Sequence, residues 1–144
     1  ETSVGCDRMF LTVLSNALID ETVPDAKGED STRTVLRLAP ALAPVKCAVL
    51  PLLRNNEELV GKAREIYDSL KHYFQCQYDE KDAVGRRYRR QDAIGTPYCV
   101  TIDHETLENG TVTIRERDSM QQERVEIGEV ARIVGERVDM RKIL

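Results

Sequence analysis

The chain has 144 residues, of which 41% are hydrophobic and 32% charged, and its formal net charge is −4 at neutral pH. This length suits one domain, and the balance of apolar and charged residues is typical of globular rather than disordered or fibrous proteins. The sequence contains no run of 18 apolar residues, so we predict no membrane span. It begins at Glu1 rather than Met and shows no signal-peptide pattern, so we expect a fragment.

The first 31 residues predict a helix followed by an irregular segment. Apolar residues recur at helical spacing over residues 7–19, which predicts a helix there. Residues 20–31 lack periodicity, contain a proline and a glycine, and carry mostly acidic charges. We interpret residues 20–31 as a solvated linker or insertion and place a domain boundary there.

The middle of the chain alternates strands with helices. Residues 45–50 are nearly all apolar and are followed by a proline, which predicts a central strand that is covered on both faces. Asn55, with Glu58 three residues later, is a capping-box pattern that begins a helix. Its apolar stripe continues to Phe74, and residues 75–78 are predicted to form a second, parallel strand.

The remaining elements complete a βαβαβββα order. A second helix is predicted to begin at Asp82 and to end at Gly95, and residues 98–102 are predicted to form a third strand. Alternating patterns over 111–117 and 123–127 predict a hairpin, which a last helix follows. The fold class is therefore α/β, with three layers in which helices flank a mixed central sheet of about five strands.

The cysteines and one Asn-Gly pair carry structural predictions. The four cysteines have no C-x-x-C spacing, and three of them stand in apolar, strand-like surroundings. We expect reduced core residues of a cytosolic protein rather than a disulfide or zinc framework. The pair Asn109 and Gly110 is typical of a hairpin turn.

A dense basic segment stands out in this acidic chain. From Lys81 to Gly95 there are five basic and two acidic residues, a local charge of +3, so the other 129 residues carry −7. Arg86 and Arg90 lie one turn apart on the predicted helix, with Arg87 beside them. A solvated helix with many salt bridges is one interpretation. The other is an anion-binding surface, because the arginines outnumber their acidic partners and arginine suits phosphate.

The predicted hairpin offers a second cationic surface. Arg115 and Arg117 are two residues apart and therefore point the same way from one strand, with Val112 and Ile114 on the opposite, buried face. We predict that the arginines lie on an exposed sheet face, where they can hydrogen-bond unpaired RNA bases. A charged outer strand face without a ligand is the alternative.

Residues 32–144 show no catalytic pattern. His72 lies near the end of an amphipathic helix and His104 in a predicted turn, and neither has a serine or cysteine nucleophile at a suitable spacing. A glycine-rich phosphate loop is also missing from the sequence. This part of the chain is therefore predicted to be a binding module rather than an enzyme.

Several segments resemble a known family. The run from Ala39 through YDEKDAVGRRYRRQDAIGTPYCVTID, together with TVTIRERDSMQQERVEI, closely resembles the C-terminal anticodon-binding domain of dimeric glycyl-tRNA synthetases. ETSVGCDR at the start resembles the third signature motif of class II aminoacyl-tRNA synthetases. The resemblance covers nearly the whole chain and implies the three-layer anticodon-binding-domain fold. It also implies a catalytic-domain remnant at 1–19, an acidic linker at 20–31 and an anticodon-binding domain at 32–144.

The resemblance implies roles in a longer enzyme. Arg8 matches the motif arginine that contacts ATP phosphates, and Glu1 and Ser3 match the pair that holds the glycine amino group. The full enzyme would activate glycine with ATP and Mg²⁺, charge tRNA(Gly) as a ligase, and form a homodimer in the cytoplasm. Because the first two class II motifs are missing here, we expect no catalysis and no cofactor in this fragment. We also expect no membrane partner, since the sequence has no membrane span.

The resemblance also implies an RNA-binding surface. Its matching positions are Glu80, Arg86, Glu108, Arg115, Arg117 and Asp118. We assign base recognition chiefly to Arg115 and Arg117, because the R-x-R-D pattern is intact. The arginine helix is then a phosphate-facing flank in which Arg86 lies nearest the anticodon and Arg87 contacts phosphate. Tyr88 and Ile94 are predicted to lock this helix to the sheet.

Two alternatives from other classes stay open. One is a non-catalytic, synthetase-like accessory subunit, as occurs when this fold is recruited to nucleic-acid polymerases; the intact ETSVGCDR motif argues against it. The other is a domain that chiefly mediates dimer contacts and has a merely solvated basic surface. Salt-dependent binding to tRNA, compared with an unrelated RNA, would separate these possibilities.

Overall fold

A helix and a two-stranded hairpin come first in the chain. The structure is a computed structural model that describes residues 2–25 and 27–143. Helix α1 (Cys6–Ala17) leads directly into β1 (Leu18–Pro24), which pairs antiparallel with β2 (Asp30–Leu36). Within the described residues, no helix has the length and apolar character needed to cross a membrane.

A mixed sheet of five strands forms the centre of the fold. Its strands are β3 (Cys47–Pro51), β4 (Cys76–Tyr78), β5 (Tyr98–Ile102), β6 (Thr111–Glu116) and β7 (Gln122–Glu126). Their spatial order is β4-β3-β5-β6-β7, with β3 parallel to β4 and β5 and with β6 and β7 antiparallel to their neighbours. The predicted fold class is confirmed, since the parallel strands precede an antiparallel hairpin as the element order requires.

Helices cover both faces of this sheet. They are α2 (Glu57–Leu70), α3 (Val84–Ile94), α4 (His104–Asn109) and α5 (Ile127–Arg137), followed by a 3-10 turn (Met140–Lys142). Helices α2 and α5 bury apolar stripes in the main core, which alternate strand residues such as Cys47 and Val49 complete. Helix α3 lies on the other face, where Tyr88 packs against Ala48, Leu50 and Cys99. The predicted anchoring role of Tyr88 is therefore confirmed, whereas Ile94 is 41% exposed and lies outside the buried core.

Helix α2 shows how the local sequence sets an element. Its N-cap is Asn56, one residue after the predicted cap, and the side-chain oxygen accepts hydrogen bonds from the N–H groups of Glu58 and Leu59 at 3.1 and 3.2 Å. The helix ends at Leu70, so Phe74 lies beyond it and packs at the edge of the main core. Burying each large aliphatic side chain of the stripe contributes about 1.5–3 kcal/mol to stability.

The segment 20–31 is not an irregular linker. It contributes most of the β1–β2 hairpin, in which every residue from Leu18 to Pro24 has a partner in β2. Buried and exposed residues alternate along β2, but this does not appear as alternating hydrophobicity in the sequence. One inward position of β2 is Val35, and another is Arg33, which is 2% exposed. A buried arginine looks polar in the sequence, so the strand was missed. The division into units at 1–19, 20–31 and 32–144 stays a prediction.

A short helix replaces the predicted turn before β6. Asp103 caps α4 and accepts a hydrogen bond from the backbone N–H of Thr106 at 3.0 Å, while the Thr106 hydroxyl donates to Asp103 and accepts from its N–H. His104 is thus the first residue of α4 rather than a turn residue. Asn109 and Gly110 end this helix, with Gly110 in the left-handed conformation at φ 71°. Six residues are too few to show helical periodicity.

Candidate nucleic-acid interface

The sheet has two ends that must be distinguished. We define the carboxyl edge as the end at which β3, β4 and β5 finish, and the amino edge as the opposite end. Helix α3 connects the carboxyl end of β4 to the amino end of β5. Its first turn therefore lies at the carboxyl edge and its last turn at the amino edge.

The predicted site residues divide between these edges. Glu80 follows β4, Arg86 lies in the first turn of α3, and Glu108 belongs to α4, which follows β5, so all three lie at the carboxyl edge. The register of β6 places Arg115 opposite Cys99, in the amino half of β5. The strand ends one residue before Arg117, so Arg117 and Asp118 lie at the amino edge. At about 3.3 Å per residue, the length of β5 separates the two groups by roughly 15 Å.

Arg115 is buried rather than exposed. Its side chain donates to the Asp92 carboxylate at 2.9 and 3.2 Å, and its guanidinium carbon lies 4.6 Å from the centre of the Tyr88 ring. Burial alone would lower the pKa of Arg115, but the hydrogen bonds to Asp92 and the charge of Asp92 outweigh this and raise it. Arg115 therefore stays charged in the interior and is fixed in one orientation.

Arg117 is buried in a similar way. It donates to the Asp118 carboxylate at 2.9 and 3.0 Å, to the Gly95 carbonyl at 2.9 Å and to the Leu38 carbonyl at 2.7 Å. Both arginines point to one face of the sheet, as predicted, but α3 and β2 cover that face. The predicted exposure of Arg115 and Arg117 is therefore wrong, and neither guanidinium group is available to a base.

Arg87 also turns inward. It is 1% exposed and donates to the Asp82 carbonyl at 3.1 and 2.9 Å and to the carbonyl of Pro51. Burial lowers the pKa of Arg87. The predicted phosphate contact of Arg87 is wrong, because this arginine instead ties the loop before α3 to the end of β3. Within that loop Asp82 has a φ of 66°, a conformation uncommon for residues other than glycine.

A network of buried charges holds these parts together. Asp92, which is fully buried, also accepts a hydrogen bond from Arg33 at 3.0 Å. Arg33 in turn donates to the Arg117 carbonyl at 2.8 Å and forms an ion pair with Glu21. The network links the β1–β2 hairpin to α3 and β6. Sequence reasoning missed Arg33 and Asp92, since their separation of 59 positions leaves no local signal.

Three predicted residues lie at the surface of the carboxyl edge, where Arg86 and Glu108 are exposed and Glu80 is half-buried. Glu80 accepts a hydrogen bond from the Tyr78 hydroxyl at 2.5 Å and pairs with Arg64 at 3.5 Å. Burial, followed by the hydrogen bond to Glu80, raises the pKa of Tyr78 to about 12. The side chains of Arg86 and Glu108 make no hydrogen bond or ion pair to any residue in the described ranges 2–25 and 27–143, and both are exposed. They can therefore reach a ligand without breaking an internal contact.

Several other charges at the carboxyl edge are paired. Arg90 pairs with Asp79 and Asp82, each at 2.8 Å, and Arg124 pairs with Asp103 at 2.5 Å. The ion pair with Arg90 lowers the pKa of Asp82. Carboxylates can accept from base amino groups, and guanidinium groups can donate to phosphate or to base acceptors. This edge thus has the chemistry needed to bind unpaired nucleotides.

The residues matched to ATP and glycine lie at the start of the chain. Glu1 lies outside the described residues, Ser3 is exposed, and Arg8 is exposed on α1. Within the part of the chain that the structure describes, no group of three or more His, Cys, Asp and Glu side chains could hold a metal ion. Arg8 alone does not make a nucleotide site.

Comparison with known proteins decides the family. Residues 46–137 match the family described as anticodon binding domain, which covers the sheet from β3 onwards together with α2, α3, α4 and α5. The chain belongs to this family. It is 52% identical to the glycine–tRNA ligase of Thermobifida fusca over 138 residues, which are 96% of this chain and 30% of that protein.

Other relatives give the same picture of this anticodon-binding domain. It is 51% identical to the glycine–tRNA ligase of Clostridium tetani over 139 residues, 96% of this chain and 28% of that protein. For the glycine–tRNA ligase of Rhodopirellula baltica the identity is 49% over 130 residues, 90% of this chain and 24% of that protein. The chain therefore spans less than a third of the length of the curated relatives that it matches.

Proposed function

We propose that this anticodon-binding domain binds the anticodon region of tRNA(Gly) through its carboxyl edge, as part of a glycine–tRNA ligase. The observation that carries the proposal is the match of residues 46–137 to the anticodon binding domain family. The identity of about half of all residues to glycine–tRNA ligases supports the choice of tRNA. It also favours a ligase over an accessory or dimerisation module.

The side chains at the carboxyl edge would contact different parts of the RNA. Glu80 and Glu108 accept hydrogen bonds from amino groups of unpaired bases, which gives sequence preference. Arg86 donates to the RNA backbone and adds affinity that falls with salt. Arg115 and Arg117 act as positioning residues, because they fix α3 and the turn after β6 from inside.

The activity of the longer protein is part of the same proposal. It would activate glycine with ATP and Mg²⁺ and transfer it to tRNA(Gly), as a homodimer in the cytoplasm. Arg8 would contact ATP phosphates, and Glu1 and Ser3 would hold the glycine amino group. A reducing compartment suits the three buried thiols Cys47, Cys76 and Cys99, because none of them forms a disulfide.

Binding titrations with single substitutions test the site. We expect Glu80→Gln or Glu108→Gln to weaken binding of tRNA(Gly) by about 1–3 kcal/mol and to reduce the preference over an unrelated tRNA, because a neutral amide replaces each carboxylate acceptor. Glu136→Gln on the exposed face of α5 is the matched control and should change neither quantity. Fluorescence anisotropy measures all the affinities. If both carboxyl-edge variants bound like the control, the carboxyl edge would not be the recognition surface.

A further inference from the structure

A depression lies between the tip of the β1–β2 hairpin and helix α3. Its volume is about 430 Å³, within the range of about 300–1,000 Å³ typical of small-ligand sites. The lining includes Ser31 from the hairpin, Arg86, Tyr88 and Arg89 from α3, Arg115 from β6, and Met120 from the following turn. The hairpin wall belongs to residues that precede the family match at 46–137.

The cations at this depression are poorly neutralised. Arg86 has no ion pair or side-chain hydrogen bond within the described residues. Within the described residues, the side chain of Arg89 donates one hydrogen bond, to the Ser31 hydroxyl at 3.3 Å, and lies 3.9 Å from the Asp92 carboxylate. Asp92 already binds Arg33 and Arg115, so it offers little to a third arginine.

Most other surface arginines have a carboxylate of their own. Arg90 and Arg132, for example, have carboxylate oxygens at 2.8 and 2.6 Å. The one acidic residue in the lining is Asp25, whose carboxylate accepts the N–H groups of Lys27 and Glu29 at 2.7 and 3.0 Å. Two guanidinium groups, neither with a carboxylate closer than 3.9 Å within the described residues, therefore face one lining carboxylate, and this excess of positive charge favours an anionic ligand.

The inner wall of the depression is rigid. Tyr88 shares a hydrogen bond of 2.6 Å with Thr101, and the Arg115 guanidinium group stacks on its ring. A fixed, planar surface beside the Arg86 and Arg89 cations suits a phosphate whose attached sugar lies against an aromatic ring, because the ring loses little side-chain freedom on binding. Met120 adds an adaptable apolar side chain at the rim.

We propose that this depression binds a phosphodiester group of the tRNA backbone, which Arg86 and Arg89 hold by donating to its non-bridging oxygens. The inference rests on the proposed function and extends it, since it places RNA against the β1–β2 hairpin as well as the carboxyl edge. Contact with a phosphate carries no base preference. The depression therefore adds affinity, while Glu80 and Glu108 supply selectivity.

The salt dependence of binding tests this assignment. In the full chain, Arg89→Gln should weaken binding of tRNA(Gly) and of an unrelated tRNA by the same factor, about three- to tenfold at low salt. The slope of log K against log salt should become less steep by about 0.7–0.9, the value for one phosphate contact. Arg132→Gln removes the same charge from α5, on the other side of the sheet, and should leave the slope unchanged.

A second variant probes the hairpin wall. Ser31→Glu places a carboxylate beside Arg89 and should weaken tRNA binding, whereas Thr32→Glu, on the outer face of the same strand, should not. Circular dichroism confirms that each variant is folded. Titration with inorganic phosphate distinguishes a general anion site, since millimolar phosphate should compete only weakly with tRNA at the depression.

The outcomes separate this inference from the proposed function. If the unaltered chain bound no tRNA, the proposed function would fail, and this inference with it. A second outcome is that the chain binds tRNA and Glu108→Gln weakens this binding, but Arg89→Gln and Arg132→Gln give the same slope of log K against log salt. Only the phosphate site would then be overturned. Equal binding of the Ser31→Glu and Thr32→Glu variants, or full competition by inorganic phosphate, would overturn it as well.

Discussion

Asp92 is the residue whose neutralisation should damage this fold most. It is fully buried and is the only carboxylate that contacts Arg115 within the described residues, while Arg33 also has Glu21. Asp92→Asn leaves the Arg115 guanidinium group buried without a counter-charge. Removing one partner of such a pair costs about 3–5 kcal/mol.

This loss is a large part of the stability of a domain, which is about 5–15 kcal/mol in total. For a chain of this length it corresponds to a fall in the thermal midpoint of about 10–15 °C. Thermal and urea unfolding, followed by circular dichroism, measure the loss. Asp68→Asn removes a carboxylate from an exposed ion pair with Lys71 and should leave the midpoint unchanged.

Comparing the stability losses of two substitutions makes the prediction more specific. Arg115→Met removes the cation but leaves Asp92 paired with Arg33, so we expect a smaller loss of about 1–3 kcal/mol. The network argument thus requires Asp92→Asn to be the more harmful of the two. A larger loss for Arg115→Met, or an Asp92→Asn midpoint equal to that of Asp68→Asn, would refute it.

Two further substitutions test local structure. Gly95 ends α3 at a φ of 84°, and an added Cβ would lie 3.0 Å from a backbone oxygen of β2. Gly95→Ala should therefore lower the free energy of unfolding by about 2 kcal/mol. Gly61→Ala within α2 should instead raise it by about 0.5–1 kcal/mol, because alanine favours the helix and has open space there. Burial would raise the pKa of Asp103, but the ion pair with Arg124 and the hydrogen bonds from Thr106 hold it below the ordinary 3.8. Its contribution of about 1 kcal/mol is therefore present at neutral pH and lost as the pH falls through that lowered pKa. Asp103→Asn keeps a capping oxygen, so urea titrations should show the two proteins converging below pH 4; a constant difference from pH 7 to pH 2 would contradict this assignment.

Strand and helix order could be predicted because apolar periodicity follows the sheet closely. Residues 98–102 are apolar or small enough to be buried on both faces, and they form β5 as predicted. The apolar stripe of α2 likewise matches its buried face.

The β1–β2 hairpin and α4 could not be predicted, for different reasons. In the hairpin, the inward-facing Arg33 cannot be told from its polar neighbours by hydrophobicity. Helix α4 depends on the local hydrogen bonds of Asp103, which create no periodic pattern of apolar residues.

The candidate site was harder to predict, because an arginine in the sequence does not show whether it is exposed. The spacing of Arg115 and Arg117 gave the correct common direction, but the covering of that face depends on a hairpin far earlier in the chain. Burial of these arginines is possible because distant carboxylates and carbonyl groups satisfy every guanidinium group. Partners separated by 59 to 84 positions cannot be recognised from one sequence.

The basic segment of α3 therefore has three different functions within five positions. Arg87 is internal and holds the loop before the helix, and Arg90 is neutralised by Asp79 and Asp82. Only Arg86 and Arg89 keep charge that a ligand can use. The local excess of +3 in the sequence thus overstates the surface available to RNA. It follows that the salt slope of tRNA binding should respond to Arg86 and Arg89, whereas substitution of Arg87 should act first on stability.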